Sequence, residues 1–96
     1  MQIMIKLGDP LWRKIGTRRL SLEFQEDHIT MAKALQYLRE RYPQVRDDLD
    51  PERNLRSDSV PYNLFVDHRK ISWDDIDQTI INDGDKLALF LLVVGG

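Results

Sequence analysis

Two apolar periods run along this chain, and the switches between them mark out the elements. Ile3, Ile5 and Leu7 alternate with Gln2, Met4 and Lys6, the period-two pattern of a strand with one buried face. Gly8-Asp9-Pro10 ends it. Beyond Gly16 the alternation returns, with Leu20, Leu22 and Phe24 on one face and Arg19, Ser21 and Glu23 on the other, so the two strands read as a hairpin with a long loop. From Thr30 the period lengthens. Met31, Ala34, Leu35 and Leu38 fall at i, i+3, i+4 and i+7, one face of a helix. Thr30 is suited to cap its start, Arg39 and Arg41 suit its last turn, and Pro43 stops it after Tyr42. Gln44–Pro61 is charged and broken by Pro51, which predicts a loop with one helical turn at Val45–Leu49. Strand character resumes over Tyr62–Asp67. A polar turn through His68-Arg69-Lys70 leads to a short strand at Ile71-Ser72-Trp73, and Asp74–Asp77 reads as a helical turn. Asn82-Asp83-Gly84-Asp85 is a turn signal, because Gly84 and Asn82 tolerate positive φ. A last strand runs from Lys86 to about Leu92.

The order is β-β-α-β-β-β. A first hairpin, one helix crossing the sheet and a final strand able to lie beside the first make a β-grasp. The fold class expected is α+β, with a mixed sheet of four to five strands packed on one main helix. Residues 1–92 form one domain on this reading, and 93–96 a flexible tail.

The final strand, LALFLLVV, does not alternate, so both of its faces are apolar. With Lys86 facing solvent, Leu87, Leu89 and Leu91 point to the core, while Ala88, Phe90 and Leu92 point away from it. The same parity in Tyr62–Asp67 puts Tyr62, Leu64 and Val66 inside and Phe65 outside. Phe65, Phe90 and Leu92 then form an apolar patch that reads as a partner surface, unless the Gln44–Pro61 loop or Trp73 covers it.

Composition narrows the function. The net charge is −2, from 14 basic and 16 acidic residues, which argues against a nucleic-acid partner. There is no cysteine, hence no disulfide, thiolate metal site or catalytic thiol. His28 and His68 lack ligand-like spacing, and Asp74, Asp75 and Asp77 lack the layout of a cation-binding loop, so no metal site is expected. The first residues lack the layout of a signal peptide, and Leu87–Val94 is too short to span a bilayer. A cytoplasmic protein without membrane contact is the expectation. Arg13, Lys14, Arg18 and Arg19 surround Trp12 in the first loop; a solvated hairpin loop with Trp12 against the sheet edge accounts for them better than a phosphate site.

The chain closes on Val94-Gly95-Gly96. Two terminal glycines are roughly a one-in-200 coincidence at average usage, which makes them worth a chemical reading. A free carboxylate, with a pKa of about 3.5, is ionised at neutral pH and acylates poorly. Conversion to an acyl-adenylate by attack on the α-phosphate of ATP would activate it. An enzyme doing so must draw the carboxylate into a narrow site, and residues without Cβ pass where others obstruct. Gly96 is thus the candidate reactive residue, with Gly95 and Val94 threading the channel.

The element order, the NDGDKLALF segment and the terminal diglycine together resemble the MoaD/ThiS family of ubiquitin-like sulfur carriers and its archaeal relatives. The resemblance covers essentially the whole chain and is most specific from Asp83-Gly84-Asp85 through the last strand to Gly95-Gly96. It departs where Leu91-Leu92 stand in place of a frequent Pro-Pro, and where Asp67-His68-Arg69 replaces a frequent Asn-Gly turn. The long charged loop before the third strand is closer to MoaD-type and archaeal carriers than to ThiS. The resemblance implies a carrier rather than an enzyme, at most the small subunit of a synthase. Gly96 would be adenylated by an E1-like adenylyltransferase, which consumes ATP, and thiolated from a sulfur donor enzyme. The sulfur could go to molybdopterin, thiamine, cysteine or a transfer-RNA base, with an acceptor synthase subunit of the molybdopterin type the first expectation. No cofactor would be bound. An alternative is a ubiquitin-like modifier joined through Gly96 to target lysines. A third reading is an interaction domain whose tail is incidental.

Overall fold

The computed structural model describes residues 1–91. Strand β1 (Gln2–Leu7) buries Ile3, Ile5 and Leu7 and turns Gln2, Met4 and Lys6 outward, as its alternation requires. It pairs antiparallel with β2 (Arg19–Glu23), with Ile5 opposite Leu20 and Lys6 opposite Arg19. On its other side it runs parallel to β7 (Lys86–Phe90), with Ile5 opposite Leu87 and Lys6 opposite Ala88. Two strands complete this sheet: β4 (Asn63–Val66) lies antiparallel to β7, and β5 (Arg69–Ile71) forms the far edge. The strand order is β2-β1-β7-β4-β5. The first and last strands therefore sit together at the centre.

Helix α2 (Met31–Arg41) starts where the period changed. The Thr30 hydroxyl accepts the Lys33 N–H at 3.1 Å, satisfying one of the free donors at the helix start. Met31, Ala34, Leu35 and Leu38 are fully buried in a core shared with Ile3, Ile5, Leu64, Leu87 and Leu89. One helix covering one face of a mixed five-stranded sheet is the β-grasp expected from the sequence.

Five elements go beyond the sequence pattern. The first connection holds a short helix, α1 (Leu11–Ile15), which buries Leu11 completely and ends on Gly16 in the left-handed region. Strands β3 (His28–Thr30) and β6 (Ile80–Asn82) pair as a second, two-stranded sheet with the buried Ile29 opposite Ile81. The loop between α2 and β4 contains a 3-10 turn at Pro43–Val45 and helix α3 (Pro51–Leu55). The turn expected at Val45–Leu49 is a single bond from the Leu49 N–H to the Val45 carbonyl, 3.1 Å. The helical turn expected at Asp74–Asp77 is a 3-10 turn over Trp73–Asp75, capped by Ser72.

That loop is part of the core and not a solvated excursion. Val45 and Leu49 are fully buried, and so, nearly, is Asn54. The Asn54 amide donates to the carbonyls of Asp48 (3.0 Å) and Asp50 (2.7 Å), and its oxygen accepts the Tyr62 N–H at 2.8 Å. One amide side chain thus binds three backbone groups, among them the buried Tyr62 N–H, which needs an acceptor. Trp73 is buried, and its indole donates to the Tyr62 carbonyl at 2.8 Å.

Candidate functional site

The face of the main sheet opposite α2 is where the parity of the last strand matters. Strand β7 buries Leu87 and Leu89 and leaves Ala88 and Phe90 half-buried on the outer side. In β4, Leu64 and Val66 are buried and Phe65 is half-buried on that same side. The register places Phe65 opposite Ala88, and Ala88 opposite Lys6. Because Ala88 is small, Phe65 and Phe90 meet across it: their ring centroids are 5.6 Å apart and their planes 7° from parallel. Two of the three patch residues expected from the sequence are brought together.

Phe90 is also held from behind. A Cβ on Gly8 would lie 2.5 Å from the Phe90 Cβ, so only glycine lets the two chains approach there. The Gly8 N–H donates to the Leu89 carbonyl at 2.8 Å, and the Leu91 N–H to the Asp9 carbonyl at 3.1 Å. The end of β7 is therefore tied to the loop that follows β1.

The stack forms one wall of a concavity of about 570 Å³ whose floor and rim include Met4, Ala88, Lys6, Arg19, Lys86 and His68. None of its lining residues comes from the Gln44–Pro61 loop, and Trp73 lines a different hollow, so neither of the covers considered from the sequence closes the patch. Met4 is 41% exposed at the bottom of this surface, large for an apolar side chain at a sheet centre.

The rim is built by a two-residue hairpin turn. Asp67 and His68 both have positive φ (47° and 71°), as a turn between directly paired Val66 and Arg69 demands. Asp67 is clamped to β7 twice: its N–H donates to the Lys86 carbonyl (2.8 Å), and its carboxylate accepts the Lys86 N–H (3.0 Å). That bond from the Lys86 backbone holds the Asp67 carboxyl below its usual range. Burial, and then the neighbouring Asp67 carboxylate, push Asp85 up. His68 is exposed in the turn, on the concavity's rim.

No protein-family model matches the sequence, and no curated protein resembles it closely enough to serve as a relative. Solved structures do. SAMP1, small archaeal modifier protein 1, from Haloferax volcanii aligns over 100% of both chains with a TM-score of 0.72 and 22% identity. A putative molybdopterin converting factor subunit 1 from Pyrococcus furiosus aligns over 97% of this chain and 99% of its own, at TM-score 0.71 and 18% identity. A chain of the BexX/CysO complex of Amycolatopsis orientalis aligns over 98% of this chain and 99% of its own, at TM-score 0.71 and 19% identity. The fold is the ubiquitin-like β-grasp.

The other residues singled out from the sequence divide cleanly. Trp12 packs part-buried against the core, with the Arg18 and Arg13 guanidinium carbons 4.3 and 4.9 Å from its ring centroid, the arrangement of a packed loop. Asp74, Asp75 and Asp77 are exposed. Leu92, Val94, Gly95 and Gly96 lie outside the described residues. Sequence reasoning missed Met4, Lys6, Lys86 and Asp67 as members of the same surface. The signal was present in the parity of β1 and β7, but it needed the strand order to bring them together. No helix among the described residues is long and apolar enough to cross a membrane.

Proposed function

We propose that this protein is a ubiquitin-like sulfur carrier, a co-substrate whose C-terminal Gly96 is activated and thiolated by partners. The observation that carries this reading is where β7 ends: Phe90 closes the strand on the wall of an open apolar concavity, and the sequence then continues through Val94 to Gly95-Gly96. A partner seated over Phe65 and Phe90, with Leu92 joining the contact, would stand next to the residues it must draw in. In the activation step a Gly96 carboxylate oxygen attacks the α-phosphorus of ATP and pyrophosphate leaves. Hydrosulfide released by a donor enzyme then attacks the adenylate carbonyl, AMP leaves, and the thiocarboxylate remains. Gly95 and Val94 pass through the adenylyltransferase channel. The likeness to a molybdopterin converting factor subunit supports a synthase of that type as the acceptor.

The likeness to a small archaeal modifier protein supports a second reading, in which the same adenylate is captured by a lysine amine and Gly96 forms an isopeptide bond. Intact mass after incubation with an E1-like adenylyltransferase, ATP and a sulfur source separates the two. The carrier gains the mass of one sulfur less one oxygen, and the gain disappears when Gly96 is deleted. Diglycine remnants on lysines of other proteins, with no such gain, would favour the modifier. Neither result with a competent adenylyltransferase rejects both.

A further inference from the structure

Although the chain is net acidic, the outer face of its sheet is not. One row of facing residues crosses all five strands: Arg19 is opposite Lys6, Lys6 opposite Ala88, Ala88 opposite Phe65, and Phe65 opposite Lys70. Lys86 sits one row away, opposite Met4. Arg19, Lys6, Lys70 and Lys86 are all exposed. The ion pairs among the described residues are Arg13–Asp9, Lys14–Asp48, Lys33–Glu26 and Arg56–Asp58, and none involves these four. Lys6 and Arg19 even face each other directly, a like-charge cross-strand pair that destabilises the free protein. An apolar concavity is thus lined by Lys6, Arg19 and Lys86, cations without a carboxylate partner among the described residues.

We infer that the face docks a protein that inserts an apolar side chain against the Phe65–Phe90 stack and surrounds it with carboxylates. The inference rests on the carrier reading only in taking the adenylyltransferase as the first such protein. Apolar contact supplies the anchor, while the charges set encounter rate and orientation and exclude basic competitors. A nucleic acid fits less well, since Asp67 and Glu23 stand on the same face and the chain is acidic overall. A membrane surface fits less well too, because the apolar element is a hollow and not a projecting wedge.

The test is a calorimetric titration of the purified adenylyltransferase with the full-length chain, without ATP, at about 50 and about 300 mM salt, across which screening of exposed charges rises steeply. Wild type should bind and weaken severalfold at the higher salt. Lys6→Glu/Lys86→Glu should weaken binding by at least about tenfold at low salt and lose most of the salt dependence. The milder Lys6→Gln/Lys86→Gln should fall between, and Arg46→Glu, an exposed change on the loop after α2, should bind as wild type. Core methyl NMR shifts must stay native in every variant. Equal binding by wild type and the charge-reversed variant overturns the inference, as does failure of wild type to bind. So does tighter binding of a twelve-nucleotide RNA or of phosphatidylserine vesicles at these same residues. Because no ATP is used, the carrier reading is judged separately: salt-dependent binding without any mass gain at Gly96 removes that reading and keeps this one. A mass gain together with charge-independent binding does the reverse.

Discussion

At the scale of single residues, backbone conformation explains two positions that no side-chain pattern marks. His68 holds φ at 71° in a tight turn, where an L side chain costs about 1–2 kcal/mol relative to glycine. Glycine loses more chain entropy on folding, about 0.5–1 kcal/mol, so His68→Gly should stabilise by only about 0.5–1 kcal/mol. A urea midpoint that falls instead would mean His68 makes a contact that outweighs its strain. Gly8 presents the opposite case. Its Cα passes so close to Phe90 that Gly8→Ala must shift one strand end or the other, at about 1–3 kcal/mol. The same shift should move the ring-current-sensitive NMR lines of Phe65, because Phe90 is stacked on it. An unshifted Phe65 with normal stability would show that the approach relaxes freely.

At the scale of elements, the loop between α2 and β4 is held by a polar clasp. The Asp48 carboxylate accepts the Tyr62 hydroxyl and the Lys14 ammonium, each at 2.7 Å, and so joins α1, this loop and the start of β4. Desolvation pushes the Asp48 pKa up, but the hydrogen bonds from Lys14 and Tyr62 and the Lys14 charge together outweigh it and hold the carboxyl below its usual value. Burial first, and then the Asp48 carboxylate, push the Tyr62 phenol well above its ordinary range. With the folded pKa of Asp48 below the unfolded one, its stabilisation is complete above the unfolded pKa of about 3.9 and is lost as pH falls through the folded value. Thermal melts of wild type should therefore lose stability below about pH 4. Asp48→Asn should be less stable near neutrality and show a shallower loss in acid; an identical acid limb would remove Asp48 from the clasp. Asn54→Ala, which takes the acceptor from the buried Tyr62 N–H, should cost about 1–3 kcal/mol. This region was the least legible in the sequence, for a physical reason. Val45 and Leu49 make a single i, i+4 pair and Asn54 is polar, too little for either apolar period to mark the stretch as buried. The three-residue strands β3 and β6 were hidden likewise, since their identity lies in pairing Ile29 with Ile81 across the molecule. By contrast, β1, β2, α2 and the parity of β4 and β7 could be read directly, because each buries one continuous face.

At the scale of the whole molecule, one face of the central sheet packs under α2, and on the docking proposal the other meets a partner. The β1–β7 pair, from opposite ends of the sequence, carries Ile5 and Leu87 to one side and Lys6 and Ala88 to the other. A sheet with helix on one side only would ordinarily turn polar residues outward, and most of its outer positions are polar. Met4, Ala88, Phe65 and Phe90 are the departures, and they adjoin residues that the core cannot spare. Neighbouring positions in β4 make the contrast testable. Leu64 is fully buried, so Leu64→Ala should cost about 2–5 kcal/mol and shift the urea midpoint accordingly. Phe65 is half-buried and stacked on a single ring, so Phe65→Ser should cost only about 1 kcal/mol. Recognition should invert that order. Phe65→Ser should lower adenylyltransferase affinity by at least about tenfold, as loss of a central aromatic anchor does. Leu64→Ala, assayed where it remains folded, should bind within about twofold of wild type, since it lies on the far side of the sheet from the concavity. If Phe65→Ser bound normally while Leu64→Ala did not, the partner would sit elsewhere, and the exposed stack would have to be explained by folding alone.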